Sequence, residues 1–183
     1  MKKFACLFLV LTASGCPDIK PDGVDENPTG AIVEFDPSNR IVPFPNNLLL
    51  DPATGKVNLP AQCNETPTAK ALREGVLNQL DGFGTFEPAM TVTFSEALDE
   101  PSLTGKIFVY KRAGTLEVTT AIPFVTRIGT TIRFDSTCTT PSTITQLAII
   151  PRVPLDQKSV YTVALVDGIK TAAGTDFKPS FTW

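Results

Sequence analysis

Residues 90–110, MTVTFSEALDEPSLTGKIFVY, contain the pattern that decides the fold. In the first five residues apolar side chains alternate with threonine, and the last five, KIFVY, form a second short apolar run. Alternation with a period of two is typical of a strand that buries one face. The acidic segment between the two runs has the composition of a turn. This stretch therefore predicts two consecutive strands without a helix between them.

Four more strand-length runs follow at short intervals. They are LEVTTAIPFV (116–125), TIRFD (131–135), QLAIIP (146–151) and YTVALV (161–166). Turn-rich pieces separate these runs, and none of the pieces has the length of a crossover helix. Because parallel strands need such a crossover, the sequence predicts a mainly β chain whose antiparallel sheets pack as a β-sandwich.

The chain before residue 90 predicts an N-terminal elaboration of this sandwich. AIVEF (31–35) has the pattern of a short strand. Further strand-like pieces are expected at residues 48–50 and 56–59, because prolines forbid a strand before them and a turn at residues 51–55 joins them.

One short helix is expected over residues 68–80. Thr68 can cap its start, and Asp81-Gly82 supplies a glycine stop. Its apolar residues recur at a spacing of four, which places them on one stripe: Leu72, Val76 and Leu80. A helix this short gains little from propensity, so we expect the stripe to pack against the sheet.

The N-terminus has the three parts of a secretory signal peptide. Lys2 and Lys3 form a positive region, residues 4–11 are apolar, and residues 13–15 are small. The apolar run is too short to cross a bilayer, which needs about 20 apolar residues. We therefore expect residues 1–15 to be a signal peptide.

The cysteine that follows the small residues indicates a lipid anchor. LTASGC (11–16) resembles the lipobox of bacterial lipoproteins, although Ala13 stands where that motif usually has leucine. The resemblance implies that the signal peptide is removed before Cys16 and that Cys16 carries acyl chains such as palmitate, which hold the protein to a membrane. The alternative is a soluble secreted protein that is cleaved near the same place.

Composition divides the rest of the chain and limits its partners. Residues 16–30 are rich in proline, glycine and acid, so they predict a disordered tether behind the lipidated cysteine. Residues 31–183 have the length of one domain. The net charge of −3 gives no basic surface, which argues against nucleic acid. The expected location is outside the cytoplasm, lipid-anchored at the cell envelope, at the outer membrane or the cell surface.

Two pairs of stretches resemble known bacterial domains. FSEALDEPSL (94–103) and residues 147–180, LAIIPRVPLDQKSVYTVALVDGIKTAAGTDFKPS, resemble bacterial Ig-like domains of the surface-layer type. VPFPNNLLLDPATGKVNLP (42–60) and LNQLDGFGTFEPAMTVTFS (77–95) are similar to the N-terminal domain of virulence-factor surface lipases. The resemblance implies an Ig-like sandwich. In those lipases a separate α/β-hydrolase domain holds the nucleophile, and these 183 residues do not include one.

The residue types needed for most catalytic sites are missing. The chain contains no histidine, which removes Ser-His-Asp and Cys-His nucleophile systems and the commonest metal ligands. It also lacks a G-x-S-x-G elbow. We therefore expect no enzyme activity, no cofactor and no bound metal.

Carboxylates and aromatics are the remaining candidates for a site. The acidic residues Glu96, Asp99 and Glu100 crowd one turn, where paired-carboxylate catalysis is weighed against an ordinary surface turn. Asp167 and Asp176 are weighed between weak calcium binding and turn formation. An exposed aromatic contact patch is weighed against core packing for three further residues: Phe83, Phe86 and Trp183. Carbohydrate binding would need exposed aromatics on one sheet face.

The cysteine count predicts a disulfide. Of four cysteines, Cys6 leaves with the signal peptide and Cys16 is used for the lipid, so Cys63 and Cys138 remain in the domain. Both lie in polar, loop-like sequence, and an oxidising compartment favours pairing. The alternative is a pair of free thiols; two thiolates without histidine make only half of a zinc site.

These observations favour a non-catalytic envelope lipoprotein that acts as a binding, adhesion or scaffold module. Its expected partners are the membrane, through the N-terminal lipid, and a protein or an envelope polymer. The alternative is the N-terminal module of a surface lipase-like enzyme whose hydrolase domain is absent from this sequence.

Overall fold

A computed structural model of the chain describes residues 29–113 and 117–180. These residues form one α-helix, α1 (Pro67–Gly75), and eight strands. The strands are β1 (Ile32–Val33), β2 (Met90–Phe94), β3 (Ile107–Ala113), β4 (Glu117–Ala121), β5 (Phe124–Phe134), β6 (Pro141–Pro151), β7 (Val160–Leu165) and β8 (Lys178–Pro179).

The strands form two sheets, and the mainly β prediction is confirmed. The larger sheet has the order β5-β6-β2-β1-β8, and the smaller sheet has the order β4-β3-β7. Every pairing is antiparallel except that of the two-residue strands β1 and β8, which run parallel. This parallel pair brings together the two ends of the described chain. Because most of the domain lies between β1 and β8 in the sequence, their pairing needs no crossover helix.

The core lies between the two sheets and follows the alternation seen in the sequence. In β2 the residues Met90, Val92 and Phe94 are buried, while the threonines between them are half-buried. Leu147 and Ile149 of β6 pair with Val92 and Met90 on the same face. The smaller sheet contributes side chains such as Ile107 and Val109 of β3 to the same core. Period-two burial therefore explains how two half-polar sheets make one core.

The sequence pattern predicts one strand over the run LEVTTAIPFV, and this prediction is wrong. The run divides into β4, in the smaller sheet, and the start of β5, in the larger sheet. Ile122 still donates its backbone N–H to the carbonyl of Val109 at 2.8 Å. Pro123 follows and has no N–H to continue the ladder, so the chain leaves the smaller sheet there.

The predicted break before TIRFD is also absent. β5 runs through Gly129 and pairs with β6 at all eleven positions without a register shift. The turn comes later, at residues 135–140, where the Asp135 carboxylate accepts hydrogen bonds from the Thr139 N–H at 2.9 Å and the Thr137 hydroxyl at 3.0 Å. These bonds, the Thr139 N–H foremost, hold the pKa of Asp135 well below its usual value.

The helix begins and ends earlier than the sequence pattern indicates. The capping residue is Thr66, whose hydroxyl accepts from the Ala69 N–H at 3.2 Å, and the prediction of Thr68 as the cap is wrong. Pro67 occupies the first helical position, which needs no backbone donor. The α-helix ends at Gly75, and a 3-10 turn at Leu77–Gln79 follows. Glycine is a poor helix former, which accounts for this end.

The expected packing of the helix against the sheet is wrong as well. No residue of α1 is buried, and the apolar stripe remains about half exposed: Leu72 51%, Val76 51% and Leu80 46%. The helix turns Arg73 inward instead. Its guanidinium bonds both carboxylate oxygens of Glu65, at 2.7 and 2.8 Å, and the side chains of this pair are only 12% and 9% exposed. A paired and hydrogen-bonded charge can be buried where an unpaired one cannot.

The strand-like pieces upstream of the helix are mostly turns. Residues 47–49 form a 3-10 turn, in which the Asn46 side chain accepts from the Leu48 N–H at 2.9 Å. Leu50 and Val57 form a single bridge around the predicted turn. Within residues 29–113 and 117–180, no helix has the length and apolar character that a membrane crossing requires.

Candidate binding surface

A disulfide fastens the N-terminal elaboration to the larger sheet. Cys63 lies in the loop before α1, and Cys138 lies in the turn between β5 and β6. The structure joins them in a bond with a Cα–Cα separation of 5.2 Å. The bond closes 75 residues of sequence, so it holds the helix region beside the far end of the long hairpin.

An ion pair ties the same elaboration to the outer face of this sheet. Arg133 of β5 bonds the carboxylate of Glu34, which follows β1, with an Nη1–Oε1 distance of 3.0 Å, and it also donates to the hydroxyl of Thr93 at 3.2 Å. Burial by itself would raise the pKa of Glu34. Hydrogen bonds from Arg133 and Thr93, together with the positive charge of Arg133, outweigh burial and hold this pKa below its usual value.

Replacing Glu34 with glutamine is expected to lower the free energy of unfolding at pH 7 by about 1.5 kcal/mol, the usual strength of a hydrogen bond to a charged group. Because the pKa is lowered in the folded state, this stability is complete above the unfolded pKa of about 4.3 and is lost as the pH falls through the folded value. Urea denaturation of both proteins at pH 7 and at about pH 3 should show the difference shrink in acid. A difference that stays constant between the two pH values contradicts this role of Glu34.

The carboxylates singled out in the sequence do not form a site. Glu96 and Glu100 are exposed on the surface turn, and Asp99 uses its backbone N–H to bond the carbonyl of Lys170 at 2.9 Å. In the part of the chain that the structure describes, no group of three His, Cys, Asp or Glu residues could hold a metal ion. Asp167 and Asp176 are both exposed and lie in the turns around β7 and β8.

The three candidate aromatics do not share one environment either. Phe83 is half-buried and packs edge-on against Phe44, with ring centroids 5.5 Å apart. Phe86 is 76% exposed. Trp183 lies outside the described residues, as do Cys16 and the predicted signal peptide.

An aromatic surface is found instead on the smaller sheet, on the face that points away from the core. Because Ile107 and Val109 face the core, Phe108 and Tyr110 project to the other side of β3. Their rings are stacked, with centroids 6.1 Å apart and planes 6° apart. Across the ladder, Val160 of β7 lies on this face and is 49% exposed, and Val166, just past the end of β7, is 43% exposed. We call these four residues the outer aromatic face.

This face differs from the usual solvent side of an antiparallel sheet, which is polar. Its aromatic and apolar side chains offer flat contact area, and the register places two polar residues among them, Arg112 opposite Val160 and Thr162 opposite Tyr110. Sequence reasoning placed the strand KIFVY but missed the face. The signal was present, because apolar residues fill the odd and the even positions of that run, so one set had to point outward.

Comparison with known families agrees with the two-sheet architecture. The bacterial Ig-like domain family matches residues 50–183. The chain belongs to this family. The Ig-like match covers α1 and strands β2 to β8, while β1 lies before it and completes the larger sheet of the Ig-like sandwich. No curated protein and no solved structure matches the chain. The likeness to surface lipases, and the lipid anchor, stay predictions.

Proposed function

We propose that this Ig-like protein is a non-catalytic binding module, anchored at the cell envelope by lipid on Cys16, that holds a protein or an envelope polymer on its outer aromatic face. One observation carries the proposal: Phe108 and Tyr110 stack on the solvent side of a β-sheet where polar residues are usual. Phe108 is 36% exposed and Tyr110 beside it is half-buried, and exposed aromatic side chains grouped on one face of a soluble domain are typical of an interaction site.

The aromatic pair favours a sugar-containing polymer. The apolar faces of sugar rings stack on aromatic rings, and a flat sheet face presents such rings without a deep pocket. Membership in the Ig-like family and the absence of histidine from the sequence support binding without chemistry. The alternative occupant, a protein, would use the same four side chains.

The proposed tether lets the face reach its partner. The predicted tether, residues 16–30, spans at most about 50 Å when extended. A domain on such a tether stays close to the membrane surface and can still turn its outer aromatic face towards a neighbouring polymer.

The anchor is tested by replacing Cys16 with serine. Metabolic labelling with a radioactive or clickable palmitate should mark the unmodified protein, and the C16S variant should lose the label and leave the membrane fraction, because a stable anchor needs the acyl chains. The matched control is C63S, which removes a different cysteine and should keep the label. Unlabelled, soluble wild-type protein contradicts the anchor.

The binding face is tested with isolated peptidoglycan as the probe. Wild-type protein is expected to co-sediment with it, and the double variant F108A/Y110A is expected to remain in solution, because it loses both rings. Leu48→Ala is the control, since Leu48 is 60% exposed on the elaboration and outside the face. A photo-crosslinker at position 108, compared with one at Thr54, detects a protein partner instead. The proposal is wrong if neither experiment distinguishes the face from its control position.

A further inference from the structure

The long strand β5 forms an open edge of the larger sheet. Among the described residues its only neighbour in the sheet is β6, so in this part of the chain its other side carries an unpaired backbone over eleven residues, FVTRIGTTIRF. Long open edges are templates for pairing with another strand, and proteins usually protect them with prolines, bulges or inward-pointing charges.

Charged side chains on an edge strand also protect it, and this strand carries two arginines, but along its described length it has no proline, no bulge and no inward-pointing charge. Proline is absent from residues 124–134, and pairing with β6 continues without a bulge. The even-numbered residues, from Phe124 to Phe134, lie on the core side because Ile128 pairs with the fully buried Leu147. None of these six residues is charged. The charged residues Arg127 and Arg133 are on the opposite face.

The backbone groups that point to the open side belong to the same even-numbered residues. At the two ends of the hairpin, Arg152 donates to the carbonyl of Pro123 at 2.8 Å, and Asp135 donates to the carbonyl of Thr140 at 3.1 Å. The backbone N–H and C=O groups of the odd-numbered residues therefore point towards β6, because the direction of these groups alternates from one residue to the next along a strand. The N–H and C=O groups of the even-numbered residues face away from β6.

An open groove lies beside one end of this edge. It has a volume of about 540 Å³ and reaches the core, because its lining includes Leu103, Ile107 and Phe124. At the other end of the edge, Ile132 projects from the core side and is 65% exposed. The groove is also lined by polar residues, Glu100 and Thr104 among them. One edge thus carries both an open groove that reaches the core and an apolar side chain that has no cover among the described residues.

We propose that the occupant of this edge is a second copy of the chain, paired antiparallel about a two-fold axis at Gly129. In this register residue 128 of one copy faces residue 130 of the other, 126 faces 132, and 124 faces 134. The even-numbered residues exchange hydrogen bonds in pairs, and both core faces stay on the same side. Arg127 faces Thr131 and Arg133 faces Val125, so no two like charges are opposed.

The two-fold axis also explains the groove and the exposed isoleucine together. Ile132 of each copy lies opposite Thr126 of the other, and Thr126 lines the groove. The side chain of Ile132 therefore enters the partner's groove near Phe124, twice per dimer, as an isologous interface requires. A single shift of register by one residue would turn these side chains to the opposite face.

The two-fold axis is tested by a cysteine at position 129, the one position that lies opposite its own counterpart in the proposed dimer. In the proposed register the two Gly129 residues form a non-hydrogen-bonded pair, whose Cα atoms are about 4.5 Å apart, within the range of a disulfide. A Cβ at this glycine would have no neighbour within 4 Å. The full-length G129C protein is expected to form a covalent dimer in cells on a non-reducing gel. T131C, whose two Cα atoms lie about 14 Å apart in the dimer, should run as a monomer on the same gel.

A second variant tests the contact of Ile132 with the groove. Two differently tagged full-length copies are expected to co-purify, and I132E in both should reduce this by about tenfold or more, because it places a second carboxylate in a groove that Glu100 already lines. Ile132 is largely exposed in the single chain, so the variant should fold. L48E, at a position 60% exposed, is the matched control and should co-purify as wild type. Absence of the G129C dimer, cross-linking of T131C equal to that of G129C, or unchanged co-purification of I132E overturns the proposal.

Discussion

Replacing both Cys63 and Cys138 with serine is expected to lower the free energy of unfolding by about 4 kcal/mol. The reason is chain entropy, because the disulfide closes a loop of 75 residues and so restricts the unfolded chain. In a domain of this size such a loss lowers the melting temperature by about 10 °C. Thermal and urea denaturation of the double variant, compared with the unmodified protein, measure both quantities.

Reduction supplies the control for this prediction. A reducing agent should lower the melting temperature of the unmodified protein to that of the double variant, and it should leave the double variant unchanged. In the native state, loss of the bond should loosen mainly the two segments that it joins, the loop before α1 and the β5–β6 turn. Equal stability of oxidised and reduced protein would show that the bond does not constrain the fold.

Replacing Phe94 with alanine is expected to cost about 4 kcal/mol, the usual size for a phenylalanine removed from a core. Phe94 is fully buried at the end of β2, and its ring packs edge-on against Phe177, with centroids 5.0 Å apart. It also faces Val33 of β1, so its loss weakens the attachment of β1 and β8 to the sheet. Urea denaturation monitored by circular dichroism gives the change in unfolding free energy.

Two further variants keep the experiment on Phe94 interpretable. Phe94→Leu retains most of the side-chain volume and should cost roughly 1.5 kcal/mol, which is measurable even if the alanine variant does not fold. Phe86→Ala removes an equally large ring that is 76% exposed, and it should change the stability by less than about 0.5 kcal/mol. If F94A and F86A are equally stable, the assignment of Phe94 to the core is wrong.

Alternation in the sequence located the strands of the core well. MTVTF coincides with β2, and the apolar residues predicted to face inward are the buried ones. This worked because alternation is a local property, which a half-buried strand imposes on its own residues. The same local rule was insufficient for LEVTTAIPFV and TIRFD, since nothing within those runs says which sheet each residue joins.

The helix shows the opposite case. Its existence followed from local signals, although Pro67 moves its start and Gly75 its end. The orientation of the helix could not be predicted from these signals, because a stripe of leucine and valine normally faces a core. Here Glu65 and the carbonyl of Leu59 accept hydrogen bonds from Arg73 and draw that side of the helix inward. These partners come from a loop that the periodicity of the helix does not describe.

By itself, the sequence predicted a mainly β Ig-like chain, placed Cys63 and Cys138 in loop-like segments and contained no histidine. These are properties of composition and of short-range pattern. Only the tertiary structure decided that Phe108 and Tyr110 lie on the outer side of the smaller sheet, that the apolar stripe predicted for the helix stays half exposed, and that β5 lies at an edge. Each of these depends on contacts between segments that are distant in the sequence. No single stretch of the chain determines the free energy of those contacts.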